Sequence, residues 1–444
     1  MMSKKIMAAV AVLAAGASIA ALASCSSGGG SGPSTTGAAV PQDTSKPSSL
    51  TVLVTSSGSE NGLKALAKTY QQQTGITINF VEVAYADLPT KEILGARSKQ
   101  NTFDLAMVDG FQLAQVAAAG ALIPLDSYLQ SDTAYDYAAD FSQGLKDYTK
   151  YNGVSYTVPL STEPYLYWYR TDIFQTLGLQ PATTWAQVIS NAKTLQQAGD
   201  LGYNPLYNAG GAAHFFNEML VSEGGRMFDP TTMKPLLDTD LAKQVMTQFL
   251  SLKQYGPAGS TNGATANAVQ AFQQQNVGQQ ILASGWWPTI DGPSSPVYGK
   301  VATAQTPLEQ VGPYTPASVL YGWLAGISST STHQQAAWDF LSWALGKDNV
   351  QAFIDGGAAP PARISTTTNA TLLKAAPYLS AEAAAVKTGV IFPRVPEMSQ
   401  IVPVVSQGIN AMATGQQTSV DAGMTALQNS VLNILVQAGD YKGN

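Results

Sequence analysis

One cysteine, Cys25, stands in the 444 residues. No intramolecular disulfide can therefore form, and the folded body has to be held by core burial, which a chain of this length can supply. Histidine is nearly as scarce, at two residues. With no HExxH spacing and no second thiol, a zinc hydrolase or a cysteine nucleophile has little to work with. Charged residues make up 12% and the net charge is −6, so the basic patch that nucleic-acid binding needs is missing. A Walker-type phosphate loop is missing as well.

Long apolar runs occur only at the start, where Lys4 and Lys5 precede the uncharged, Ala-rich run Ile6 to Ala23. That pattern predicts an export signal over residues 1–24. Leu22-Ala23-Ser24-Cys25 then reads as a lipobox with Cys25 as the lipidated first residue of the mature protein, the alternative being an amino-terminal membrane helix. A diacylglyceryl group plus an N-acyl chain would give the two lipid signals that stable anchoring requires. Residues 25–49, rich in Gly, Ser, Thr and Pro, predict a flexible tether.

The chain beyond the tether has room for two domains. Leu50 to Thr55 and Ile76 to Val83 are β-rich, and between them Leu63, Leu66, Ala67 and Tyr70 recur at helical spacing before Gly75. A helical stretch from Asp87 to Lys99 leads to a third strand at Phe103 to Val108, and a helix bearing Leu113 and Val116 comes next. Strands alternating with helices predict an α/β fold with a parallel, doubly wound sheet. Ligands of such sheets bind beyond the carboxyl ends of the strands, which nominates Ser56 to Glu60, Tyr85 to Asp87, and Asp109, although the same residue types cap helices and form turns.

At the centre lies VPLSTEPYLYWYRTDIFQTLGLQPATTW, Val158 to Trp185, too aromatic for a surface loop and too polar for an ordinary core strand. Pro164 holds the backbone at Glu163 extended, which suits a crossing between two lobes. Further on, SGWWPTI at Ser284 to Ile290 places Gly before paired Trp before Pro, a turn that presents indole faces to a sugar ring. One of Trp286 and Trp287 is expected to meet ligand and the other to enter the core.

Taken in order, these segments resemble the family 1 extracellular solute-binding proteins of ABC transporters, in particular its maltose-binding member. The resemblance runs through SSGSENGLKALAKTYQQQTGITINF, FDLAMVDG, AGALIPLD, the Pro-x-Thr-Trp step at Trp185, AHFFNEMLVSEGG, LYGWLAGIS, GGAAPPARIS and FPRVPEMSQIVPVV, covering the chain after the tether. It implies a two-lobe periplasmic-binding-protein-like fold, with one lobe from residues 50–160 and 320–366 and the other from 161–319 and 367–444, joined by hinge crossings. By matching positions, Ser57, Glu60, Asp109, Glu163, Tyr165, His214, Asn217, Trp286, Trp287, Tyr321, Gly322 and Trp323 line a cleft, while Arg363 is either a cleft donor or the partner of a carboxylate.

The activity so implied is capture of a mono- or oligosaccharide by hinge closure and delivery to a permease driven by a cytoplasmic ATPase. The protein would work as a lipid-anchored monomer, with no cofactor, metal, nucleic acid or catalysis. Val108, Asn217 and Val402 stand where the maltose-binding member has aromatics, which points to a smaller or more polar ligand. Two rival readings are a glycan hydrolase or lyase pairing Asp109 with Glu163, and the same fold holding a non-sugar solute.

Overall fold

The computed structural model describes residues 43–209 and 211–441. The expected signal, Cys25 and most of the expected tether lie outside them, and no helix among the described residues is long and apolar enough to cross a membrane. The expected tether's last residues, from Asp43, are among those described. The Asp43 N–H donates to the Thr332 carbonyl at 2.8 Å, and the Asp43 carboxylate lies 3.6 Å from His333 Nε2. Residues 43–49 are thus fastened to the folded body.

The strands are β1 Ser49–Thr55, β2 Thr77–Val83, β3 Leu105–Asp109, β4 Lys150–Tyr151, β5 Val154–Ser155, β6 Thr157–Pro159, β7 Tyr165–Arg170, β8 Gln279–Ala283, β9 Val301–Gln305, β10 Val319–Leu320, β11 Trp323–Ile327 and β12 Val390–Ile391. The first sheet has the order β2-β1-β3-β11-β6. β1 runs parallel to β2 and β3, as their intervening helices require, whereas β11 is antiparallel to both β3 and β6. A second sheet, β8-β7-β9, is antiparallel throughout. The α/β class therefore holds, but the parallel sheet expected from helix-strand alternation is confined to the first three strands. In the first sheet only β11 runs against the others, since β6, antiparallel to β11, points the same way as β1, β2 and β3; a short parallel pair, β10 with β12, lies apart.

Two hydrophobic cores accompany the two sheets. One gathers Leu50, Val52, Leu105, Leu324, Trp338 and Phe340; the other gathers Trp168, Trp185, Phe216, Met219, Phe272 and Leu427. β7 is the middle strand of its sheet, with Leu166, Tyr167 and Trp168 fully buried, which is why so aromatic a run belongs there. The flanking helices obey ordinary stop signals: Glu60–Thr74 ends at Gly75, whose N–H caps the Gln71 carbonyl.

Three crossings join the lobes and are tied to one another. The Glu163 N–H donates to the Tyr321 carbonyl at 2.8 Å, and the Ser161 N–H to the Trp323 carbonyl at 3.0 Å. The Ala362 N–H donates to Thr162 Oγ1 at 2.9 Å. Gly322 sits among them at φ 154°, where a Cβ would come within 2.3 Å of the Ser161 carbonyl, so only glycine lets the two chains touch.

Candidate ligand-binding cleft

The topology gathers one edge of the first sheet. β1, β2, β3 and β6 end there, while β11 begins there with Trp323 beside Asp109 and Leu324 beside Pro159. The loops beyond carry polar groups inward. Glu60 organises the first loop: its Oε2 accepts from the Ser57 N–H at 3.1 Å and the Gly58 N–H at 2.8 Å, and its other oxygen lies 3.5 Å from Lys64 Nζ. Both jobs keep its carboxylate turned toward its own loop. At the end of β3, Asp109 accepts from the Tyr85 hydroxyl at 2.7 Å and from the Phe111 N–H at 2.7 Å. Burial pushes the Asp109 carboxyl up, against those two hydrogen bonds and the nearby Arg394. Tyr85 is 48% exposed, so the pair has one member buried and one at the surface.

Glu163 is the junction of loops from both lobes. Its Oε1 accepts from the Ser161 hydroxyl at 2.5 Å and from the Ser59 hydroxyl. Its Oε2 lies where a Cβ on Gly285 would stand, 2.3 Å away, so the second-lobe loop can close onto it only as glycine. Burial raises this carboxyl above its ordinary value, opposed by hydrogen bonds from Ser161 and Ser59. Nothing in the local sequence gives a reason for Asp109 or Glu163 to be raised. Burial supplies it.

The facing wall is aromatic. The Phe111 ring is stacked between His214, at 4.3 Å and 14°, and Tyr321, at 4.9 Å and 19°, with Phe392 edge-on at 5.0 Å. Tyr165 continues the stack at 6.0 Å from Tyr321 and meets Phe215 edge-on at 5.2 Å. His214 is held neutral, its pKa lowered to about 4 by burial, so it serves as a flat uncharged ring. Rings from the first lobe, a crossing and the helix Ala212–Ser222 thus meet across the cleft. Arg394 also spans it: its guanidinium donates to the Gly110 and Tyr148 carbonyls and lies 4.7 Å over the Tyr148 ring.

The nominated residues separate into groups. Asp109, Glu163, Tyr165, His214, Tyr321 and Gly322 are brought together by these contacts, with Ser57 in the loop that Glu60 organises. Trp286 is half-buried, one residue past the contact of Gly285 with Glu163. Trp287 is buried, its ring stacked 5.4 Å from Tyr378 and tilted 5.7 Å from Trp168, so it is the core member of the pair. Trp323 lies inside the first core with its ring 6.0 Å from Tyr85.

Arg363 is a correction to the cleft-donor alternative and takes the other one offered. It is 1% exposed in the first-lobe core, paired with Asp140 at 2.8 Å and lying 4.5 Å over both the Tyr135 and the Phe141 rings. Asn217 faces a separate pocket beside the aromatic wall. Phe111, Tyr148, Ser161, Phe392 and Arg394 were not nominated. Phe111 and Ser161 each sit two residues from a nominated carboxylate, a signal that could have found them, whereas Arg394 arrives from 285 residues beyond Asp109 and only the fold brings it in.

A two-lobed fold whose hinge is sewn from three crossings, with polar loop ends facing rings, is the architecture of a ligand-capturing protein. A model of the bacterial extracellular solute-binding protein family matches residues 56–351, two-thirds of the chain, and the chain belongs to that family. This is a family of binding proteins rather than of enzymes. The chain is 25% identical over 417 residues to the mannitol-binding protein of Pseudomonas aeruginosa, covering 88% of this chain and 94% of that one. It is 24% identical over 404 residues to a Sinorhizobium fredii protein named "probable amino-acid ABC transporter periplasmic-binding protein", with 88% and 90% covered. A solved solute-binding protein from Agrobacterium vitis, with bound D-mannitol, is 25% identical, with 88% and 99% covered and a TM-score of 0.76.

Proposed function

We propose that this chain is the extracytoplasmic receptor of an ABC importer, and that it captures a neutral sugar or sugar alcohol between its lobes. The observation that carries this reading is the pairing of Asp109 and Tyr85, hydroxyl-seeking groups at the strand ends, next to the stacked His214, Phe111 and Tyr321 rings. Ring faces pack on C–H faces while carboxylate and phenol take hydroxyls. The mannitol named in two of the relatives supports a short, hydroxyl-rich ligand. Contacts from both lobes favour the closed form, which excludes water and forms the surface a permease reads.

Anchoring through a lipid on Cys25, removal of residues 1–24 and action as a monomer are further parts of the proposal. So are the lobe boundaries 50–160 with 320–366 and 161–319 with 367–444. Among the named residues, Asp109, Glu163, Tyr165, His214, Trp286 and Tyr321 contact or frame the ligand.

A hydrolase pairing Asp109 with Glu163 is the weaker reading. Glu163 Oε1 is taken by two serine hydroxyls and its other oxygen is shut in by Gly285, which leaves no open path for delivering a proton to a glycosidic oxygen. A thermal-shift panel of alditols, mono- and disaccharides and amino acids tests the choice. The expected result is a higher melting temperature with D-mannitol or a related polyol, recovered unchanged. A shift with amino acids alone, or cleavage of a disaccharide, would refute it.

A further inference from the structure

Beside the aromatic wall, with which it shares Phe392, lies an open pocket of about 440 Å³. Its polar lining is unlike that of the cleft. Arg226 and the amide of Asn217 stand among Phe228, Tyr314 and Phe392, Arg394 lines it with its guanidinium turned to Gly110 and Tyr148, and no carboxylate side chain of the described residues lines it. Arg226 is braced, donating to the Gly225 carbonyl at 2.6 Å and the Thr315 carbonyl at 3.1 Å with its guanidinium 5.3 Å over the Tyr314 ring. That leaves N–H groups over. Asn217 is only 5% exposed, and its amide makes no hydrogen bond to the described residues although it lines this space.

Polar groups buried this deeply are ordinarily paired. An unpaired amide donor beside a guanidinium in an apolar pocket is complementary to an acceptor-only group of negative charge. We propose that this pocket is a second ligand site, separate from the cleft, for a small organic carboxylate with an apolar body. The carboxylate is taken by Arg226 and the Asn217 amide, and the body packs against Phe228, Met227 and Phe392. This site does not depend on what the cleft holds.

Benzoate and hexanoate, with benzyl alcohol and 1-hexanol as uncharged counterparts, test it on the full folded protein by saturation-transfer NMR and thermal shift. Benzoate is expected to bind with a Kd of about 1 mM or tighter and benzyl alcohol at least about ten-fold more weakly. Arg226→Gln and Asn217→Leu are each expected to weaken benzoate about ten-fold or more. Absence of carboxylate binding at about 10 mM, equal binding of the alcohol, or full benzoate affinity in folded Asn217→Leu would each overturn the proposal. Should Arg226→Gln fail to fold, the Asn217→Leu protein and the uncharged probes still decide.

Discussion

The two lobes bury charge in different ways. In the first, Arg363 and Asp140 neutralise one another inside the core, and although burial raises Asp140, hydrogen bonds from Ser365 and Arg363 hold it below its ordinary range. In the second, the carboxyls of Glu218 and Glu382 are fully buried and meet only neutral donors: the Val319 N–H at 2.7 Å for Glu218 and the Ser284 hydroxyl at 2.7 Å for Glu382. Burial raises both. The first lobe is therefore built to be indifferent to pH over the physiological range, while the second is most stable where its acids keep their protons. The first lobe has two exceptions, Glu92 and Asp109, neighbouring buried carboxyls that burial raises.

The largest expected effect breaks the paired charge. Arg363→Ala leaves Asp140 buried and alone, and chemical denaturation should show a loss of about 3–5 kcal/mol, much of it restored in an Arg363→Met, Asp140→Leu double variant. Next comes the unpaired lobe. Glu218 keeps its proton in the fold up to about pH 8, whereas the unfolded chain releases it near the ordinary value of 4.5. Between those values the unfolded state binds fewer protons, so stability falls as pH rises. Glu218→Gln should flatten that decline, adding about 3 kcal/mol near pH 8 and little near pH 4, as read by urea titrations across pH.

Smaller effects sharpen the contrast between the cleft's own faces. Asp109→Asn removes a charged acceptor and should weaken polyol binding by about ten- to a hundred-fold, measured by calorimetry, with the melting temperature of the free protein little changed. Trp286→Ala removes one ring face and should weaken binding by about three- to ten-fold. Trp287→Ala, in contrast, should lower stability, because its indole packs on Tyr378 and Trp168.

Local order was legible in the sequence where local rules decide it. The helix ending at Gly75 and the strands on either side of it follow from apolar spacing and a glycine stop. The cleft was legible in part, because strand ends are cleft positions in this class of sheet and Asp109 stands at one. The rest depends on long-range placement. Nothing near Arg363 in sequence announces Asp140, and nothing near Arg394 announces Gly110 and Tyr148. The direction of β11 was hidden for the same reason: an antiparallel return is set by where the chain has been, not by its own residues.

The central claim is that hydroxyl-rich ligand is held between the strand-end carboxylate of the first lobe and a ring wall drawn from both lobes. A crystal structure of the protein grown with D-mannitol tests it most directly. The account predicts the polyol within hydrogen-bonding distance of Asp109, or of Tyr85, and against the His214, Tyr321 or Trp286 ring. Density for mannitol at an outer face, with the interlobe space empty of it, would contradict the account.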